Sequence, residues 1–223
     1  RRFHSAVLAS VVDDAGASAE TVVIFGGEDE EGPLASGLFF VIANEAMMIH
    51  PSSLPKGART QLTGTHVDSQ GYIYFIGGYT QTAHTAASSA IDIYNTQAAD
   101  WQQPFLLGVD GFNLLTPRGG HSTSLVGDKM LVTLGGSDGT GPMNRVEVIH
   151  EYLEMNEATG TATPKIDLIY SCFEADCSSP VPAMPDARVD HRALVTSWGD
   201  VLVVGGAGTA STLVQGLSVY TPQ

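Results

Sequence analysis

The sequence of 223 residues predicts an all-β chain built from four copies of one small antiparallel sheet. Three observations carry this. A short run of β-branched and aromatic residues stopped by a glycine pair is written four times, at residues 21–27, 72–78, 130–136 and 201–206. The composition holds 25 glycines, too many for a helical protein and suited to a turn-rich one. After each glycine pair, at a similar offset, comes a strand that alternates, as in Ala90-Ile91-Asp92-Ile93-Tyr94.

The elements follow in order. Repeat one opens on Arg1-Arg2-Phe3-His4-Ser5 and an apolar run over 6–12, then a polar hairpin insertion at 13–20. Its glycine-pair strand follows, then the acidic loop 28–31, a third strand over 38–42, a turn at Asn44-Glu45 and a fourth strand over 47–49. A linker at 51–56 leads to repeat two, whose head is placed near His66. Ser69-Gln70-Gly71 turns into the second strand, residues 90–94 form the third, and Trp101 begins the fourth. Repeat three starts at Arg118-Gly119-Gly120-His121, has its third strand over 146–149, and continues into a longer segment with a strand-like run over 165–171. Repeat four starts at Arg188-Val189-Asp190-His191, turns at Trp198-Gly199-Asp200, and reaches a third strand over 217–220. The repeats span about 1–57, 58–114, 115–185 and 186–223, and the last is incomplete.

The glycine pairs (Gly26 and Gly27, Gly77 and Gly78, Gly135 and Gly136, Gly205 and Gly206) lie 51, 58 and 70 residues apart. Periods of this size mark a repeat architecture whose units are small antiparallel sheets. One four-stranded sheet leaves a face bare, whereas packing sheets about an axis buries both. A strand that ends close to its neighbours and exits sharply needs a residue without a Cβ, which accounts for the pairs.

This pattern of Arg and His ahead of strand one, Gly-Gly closing strand two, Tyr in strand three and Trp near strand four resembles the kelch repeat. Repeat two carries Gly77, Gly78, Tyr94 and Trp101, with Thr63 where arginine is expected before His66. Repeat three carries Arg118, His121, Gly135 and Gly136, with Ile149 in place of Tyr; repeat four carries Arg188, His191, Gly205, Gly206 and Tyr220. Repeat one has Arg1, His4, Gly26 and Gly27, with Phe40 near the Tyr position. The resemblance covers nearly the whole chain and implies a kelch-type β-propeller. Such propellers have six or seven blades and four are recognisable here, so the chain is expected to be part of a larger propeller. A four-bladed ring is the alternative.

Charge limits function. The formal net charge of −14 leaves no basic stripe for phosphates, so nucleic acid is not an expected partner. No stretch of about 18 apolar residues is present, so no transmembrane helix is expected. The chain begins at Arg1 rather than methionine, and a preceding segment is expected. Cys172 and Cys177, close together in a polar loop, are expected to form a disulfide, which implies an oxidising compartment. Two free thiols or half of a metal site are the other readings.

No catalytic constellation stands out. His4, His66, His121 and His191 recur with the repeat, which points to a structural part, as it does for Arg118 and Arg188. A carboxylate cluster at 28–31 lacks the alternating spacing of a calcium loop and reads as a solvated run. The copper-radical oxidases share a kelch-like propeller, but their cysteine-tyrosine crosslink has no counterpart here. The expectation is therefore a non-enzymatic binding or scaffold module without cofactor, extracellular, at the cell surface or in a periplasm. Its contacts would come from the loops after each glycine pair, with Asp29, Glu30, Tyr79, Ser137 and Asp138 as candidate binding residues. A protein or neighbouring subunit is the expected partner, and a glycan is the second. The alternatives are a carbohydrate-active enzyme or lectin-like domain using the central funnel, and a structural subunit of an extracellular assembly.

Overall fold

The computed structural model describes residues 1–13, 15–102, 112–128, 130–156, 161–170, 181–209, 213–214, 216–222, with the side chains of residues 70 and 151–170 left out. Fifteen strands in these residues form four antiparallel sheets. Sheet one runs in the order β1 (Ser5–Val12), β2 (Ser18–Phe25), β3 (Gly37–Val41), β4 (Ala46–Ile49). Sheet two holds β5 (Thr63–Val67), β6 (Tyr72–Ile76), β7 (Ile91–Asn95) and β8 (Asp100–Gln102). Sheet three holds β9 (Ser122–Val126), β10 (Met130–Leu134), β11 (Val146–Asn156) and β12 (Thr161–Tyr170). Sheet four has three strands, β13 (Arg192–Val195), β14 (Val201–Val204) and β15 (Leu217–Tyr220). Two single 3-10 turns, Ile42–Asn44 and Asp68–Gln70, join strands within sheets one and two.

The sheets stand in a row. β1 packs on β5, β5 on β9 and β9 on β13, while no comparable packing joins β13 to β1. Three apolar clusters fill the three junctions. Between sheets one and two lie Val7, Val23, Phe25 and Phe39 against Ile73, Phe75, Tyr94 and Trp101. Between two and three lie Tyr74, Ile76, Ile91 and Ile93 against Leu131 and Ile149. Between three and four lie Val132, Leu134, Val146 and Val148 against Val201, Val203 and Tyr220.

Strand period explains the sorting. In the glycine-pair strands, the residues one and three before the pair face the following sheet, and those two and four before face the preceding one. Each middle sheet thus buries both faces, which is why Tyr72–Ile76 is apolar throughout rather than alternating. Each large side chain buried this way contributes about 1.5–3 kcal/mol.

The register fixes which residues are equivalent. Phe40, Tyr94, Ile149 and Tyr220 each pair with the residue four before the glycine pair, so the third-strand matches read from sequence align. The head of repeat two does not. His66 lies inside β5, opposite Ile73, where other sheets have Leu8, Leu125 and Val195. Leu62 occupies the place of His4, His121 and His191: its Cβ sits against Gly78 as those of the histidines sit against Gly27, Gly136 and Gly206. The arginine expected there is present, but as Arg59.

Candidate functional site

The first strands of all four sheets begin at the same end, and the glycine-pair strands finish there. Ser5 pairs with Phe25, Thr63 with Ile76, Ser122 with Leu134 and Arg192 with Val204. The loops after the glycine pairs therefore leave from one end. A cavity of about 890 Å³ opens at that end, lined by residues 3–6, 61–64, 120–123 and 190–193, one segment per sheet, together with His84.

The rim is built by backbone. Phe3, Gln61, Gly120 and Asp190 are equivalent, and all four have φ between +52° and +61°. This left-handed conformation turns each amide to the carbonyl of the segment before it. Gln61 N donates to Phe3 O at 3.0 Å, Gly120 N to Gln61 O at 3.2 Å and Asp190 N to Gly120 O at 2.8 Å. A second series lies beside it. Gly27 N donates to Arg59 O, Gly78 N to Arg118 O and Gly136 N to Arg188 O, each at 2.8–2.9 Å. Any side chain at Gly77 or Gly135 would collide with these arginine carbonyls, so the glycine pairs are needed for sheet-to-sheet approach.

The arginines are locked in place. Arg59 Nη1 donates to the carbonyls of Gly77 and Ala90 while Nη2 pairs with Asp92. Arg118 repeats this with Gly135, Arg145 and Glu147, and Arg188 with Gly205, Gly216 and Ser218. All three are fully buried. Burial pushes the Asp92 carboxyl upward, and Arg59 and Lys56 pull it back. Each guanidinium thus donates to two carbonyls of its own sheet and to a side-chain oxygen of the third strand, a fork of donors that lysine could not supply.

Inside the cavity, hydroxyls meet imidazoles. Thr63 Oγ1 lies 3.0 Å from His121 Nε2 and 2.8 Å from Thr123 Oγ1. Ser122 Oγ lies 2.9 Å from His191 Nε2. Burial, reinforced by Arg118, holds His121 well below the ordinary histidine range. Burial followed by Arg188 lowers His191 to about 4. Both rings are neutral at physiological pH. Asp190, raised by burial and held back by His84 and Arg192, is the carboxylate at the rim.

The sequence-predicted loop residues divide. Tyr79 is buried: its hydroxyl donates to Gly119 O at 3.1 Å and its ring stacks on His84 at 4.9 Å. Ser137 is buried as well, bridges Gly119 and accepts from Gly139 N. Asp138 caps its own turn, accepting from Thr140 Oγ1 and N, and the Thr140 bonds lower its pKa. Asp29 is exposed and caps Glu31 N and Gly32 N, and with Glu30 and Glu31 it forms the exposed part of the acidic loop. Glu28 departs from the solvated-run expectation: it is 1% exposed, accepts from Arg2 Nε at 2.9 Å and faces His84 Nε2 at 3.5 Å. His84, with no spacing signature in sequence, joins loops one and two and lines the cavity. Its φ of +55° on a non-glycine residue is the feature that marks it.

Among the described residues no group of three or more histidines, cysteines or acids could hold a metal, and no helix is long and apolar enough to cross a membrane. Cys172 and Cys177 lie outside the described residues. No protein-family model matches the chain, and no curated protein matches it.

Proposed function

We propose that the chain forms blades of a kelch-type β-propeller and acts as a non-enzymatic binding module. Its contact surface is the end of the row where the cavity and the post-glycine loops open together. The carrying observation is that one segment from each of four sheets lines a single cavity whose rim is held by backbone hydrogen bonds. Such a rim is rigid while the loops above it are free to vary, the division of labour expected of a recognition surface. His121 and His191 are neutral and engaged with hydroxyls, which suits recognition rather than proton transfer. Asp190 gives the rim an acidic point, and Asp29 and Glu30 add two more on the neighbouring first loop, which favours a basic or hydroxyl-bearing partner such as a protein segment.

The row of threonine, serine and histidine groups in the cavity favours a glycan as the second occupant, because sugars are read by paired hydroxyl donors and acceptors. Export is part of the proposal and rests on the cysteine pair at 172 and 177. A glycan array and a basic-peptide array, each probed with wild type and with Asp29→Ala/Glu30→Ala and Asp190→Asn variants, test the reading. Binding weakened by these substitutions supports it. Ligands bound equally by all three proteins, or turnover of a glycoside by the wild type, overturn it.

A further inference from the structure

The junction between sheets one and two is filled differently from the other two. In each glycine-pair strand the residue five before the pair faces the following sheet, with a residue of the first strand beside it. These are Tyr72 with Val67 in sheet two and Met130 with Val126 in sheet three, but Thr21 with Ala9 in sheet one. Tyr72 and Met130 pack on the apolar clusters of their junctions. The smaller pair fills less of its layer, and a groove of about 580 Å³ opens beside it. Sites of this volume take small molecules.

The groove is apolar and aromatic, with one charge at its end. Thr21, Phe39, Val41 and Met48 of sheet one form one wall, and Tyr94 and Ala99 of sheet two form the other. Phe39 and Tyr94 stand edge to face at 5.8 Å. Met48 is 49% exposed, although the register turns it toward sheet two with Phe39. His50 and Pro51 close the groove on the rim side, where His50 N donates to Gly37 O. The turn between β1 and β2 closes the other end and brings in Asp13. Two bonds hold that carboxylate in place, since its Oδ1 accepts from Ala15 N at 2.9 Å and from Ala17 N at 2.8 Å. The His50 ring is engaged with Ser52 O and the Tyr94 hydroxyl. Among the described residues no lysine or arginine lines the groove.

We propose that this groove binds a small aromatic amine, its ring against Phe39, Tyr94 and Met48 and its ammonium toward Asp13. Aromatic edges and a thioether favour an aromatic ring over an aliphatic body of the same size. A single carboxylate selects a cation and rejects an anion. Two closed ends suit a compact molecule rather than an extended peptide. The groove lies between two sheets inside the row, so the inference is independent of the rim cavity and of the binding role proposed for it.

Three probes with one ring system test it on the full chain: tryptamine, 3-methylindole and indole-3-propionate. Calorimetric titration of the wild type is expected to show saturable binding of tryptamine, weaker binding of 3-methylindole and the weakest of indole-3-propionate. The methyl resonances of Val41 and Met48 are expected to shift with tryptamine. Asp13→Asn keeps an oxygen for the two turn amides. It is expected to weaken tryptamine about two- to fivefold, the scale of an exposed ion pair, and to leave 3-methylindole unchanged. The probe series on the wild type stands whether or not the variant folds. No saturable binding of tryptamine overturns the proposal. Indole-3-propionate bound as tightly as tryptamine overturns it too, as do shifts that spare Val41 and Met48.

Discussion

The Gly27 amide donates to the Arg59 carbonyl at 2.9 Å, and the same arginine grips its own sheet through Gly77, Ala90 and Asp92. One residue therefore fixes both the sheet it heads and the sheet before it. Arg118 does the same with Gly78 and Glu147. Removing one partner of such a buried pair strands the other charge. Arg118→Met is expected to cost about 3–5 kcal/mol in urea unfolding, and adding Glu147→Leu to recover most of it. A single-variant loss below about 1 kcal/mol would be at odds with the arginine's placement.

The glycine pairs predict a graded series. Gly135 has φ +60°, and a Cβ there would stand 2.7 Å from Arg188 O. Gly205 has φ +69° with open space. Gly205→Ala should cost about 1–2 kcal/mol, the strain of the left-handed region alone. Gly135→Ala should cost distinctly more, because the next sheet must also move. Equal losses in chemical denaturation would show that the junction is not closely seated.

Burial of the histidines sets a pH dependence. The folded pKa of His191, about 4, lies below the ordinary 6.5, and His121 is lowered in the same direction. The unfolded chain then takes up more protons as pH falls, so stability is full above 6.5 and is lost as pH drops from 6.5 toward 4. His191 contributes on the order of 3 kcal/mol across that window. Asp190, shifted upward, works in the opposite sense at the acid end. Urea midpoints over this range should fall for wild type and fall less steeply for His191→Gln. Matching slopes would count against a buried neutral imidazole.

Equivalent positions should differ by their neighbours. Leu134 is buried at the junction of sheets three and four, and Leu134→Ala should cost about 2–5 kcal/mol. Its equivalent Val204 lies on the outer face of sheet four at 48% exposure. Val204→Ala should cost about 0.5 kcal/mol or less in urea unfolding. A large loss there would mean that something within the chain covers the face.

Much of this architecture was legible because backbone demands leave few residue choices. Only glycine tolerates the arginine carbonyl close to Gly26, Gly77 and Gly135, and the second glycine of all four pairs is crowded by another backbone carbonyl, so the pairs stand out. The repeat-two head was not legible, because Leu62 fills the volume that histidine fills elsewhere, and His66 supplied a false anchor. Arg59 was findable by counting back from the glycine pair: the three buried arginines precede their glycine partners by 18, 17 and 17 residues. Asp92 and Glu147 sit in alternating strands, a pattern that ordinarily marks a solvated face. Both are buried, because each middle sheet is covered on both sides and an arginine comes to meet the acid. His84 and Glu28 meet across two loops with no shared spacing, and nothing in a linear reading brings them together.

The claim that one backbone junction recurs along the row is tested most directly by amide hydrogen exchange at single-residue resolution. The amides of Gly27, Gly78, Gly136, Gln61, Gly120 and Asp190 should be protected, and those of Gly206 and Phe3 should exchange rapidly. Exchange at Gly136 as fast as at Gly206 would contradict the account.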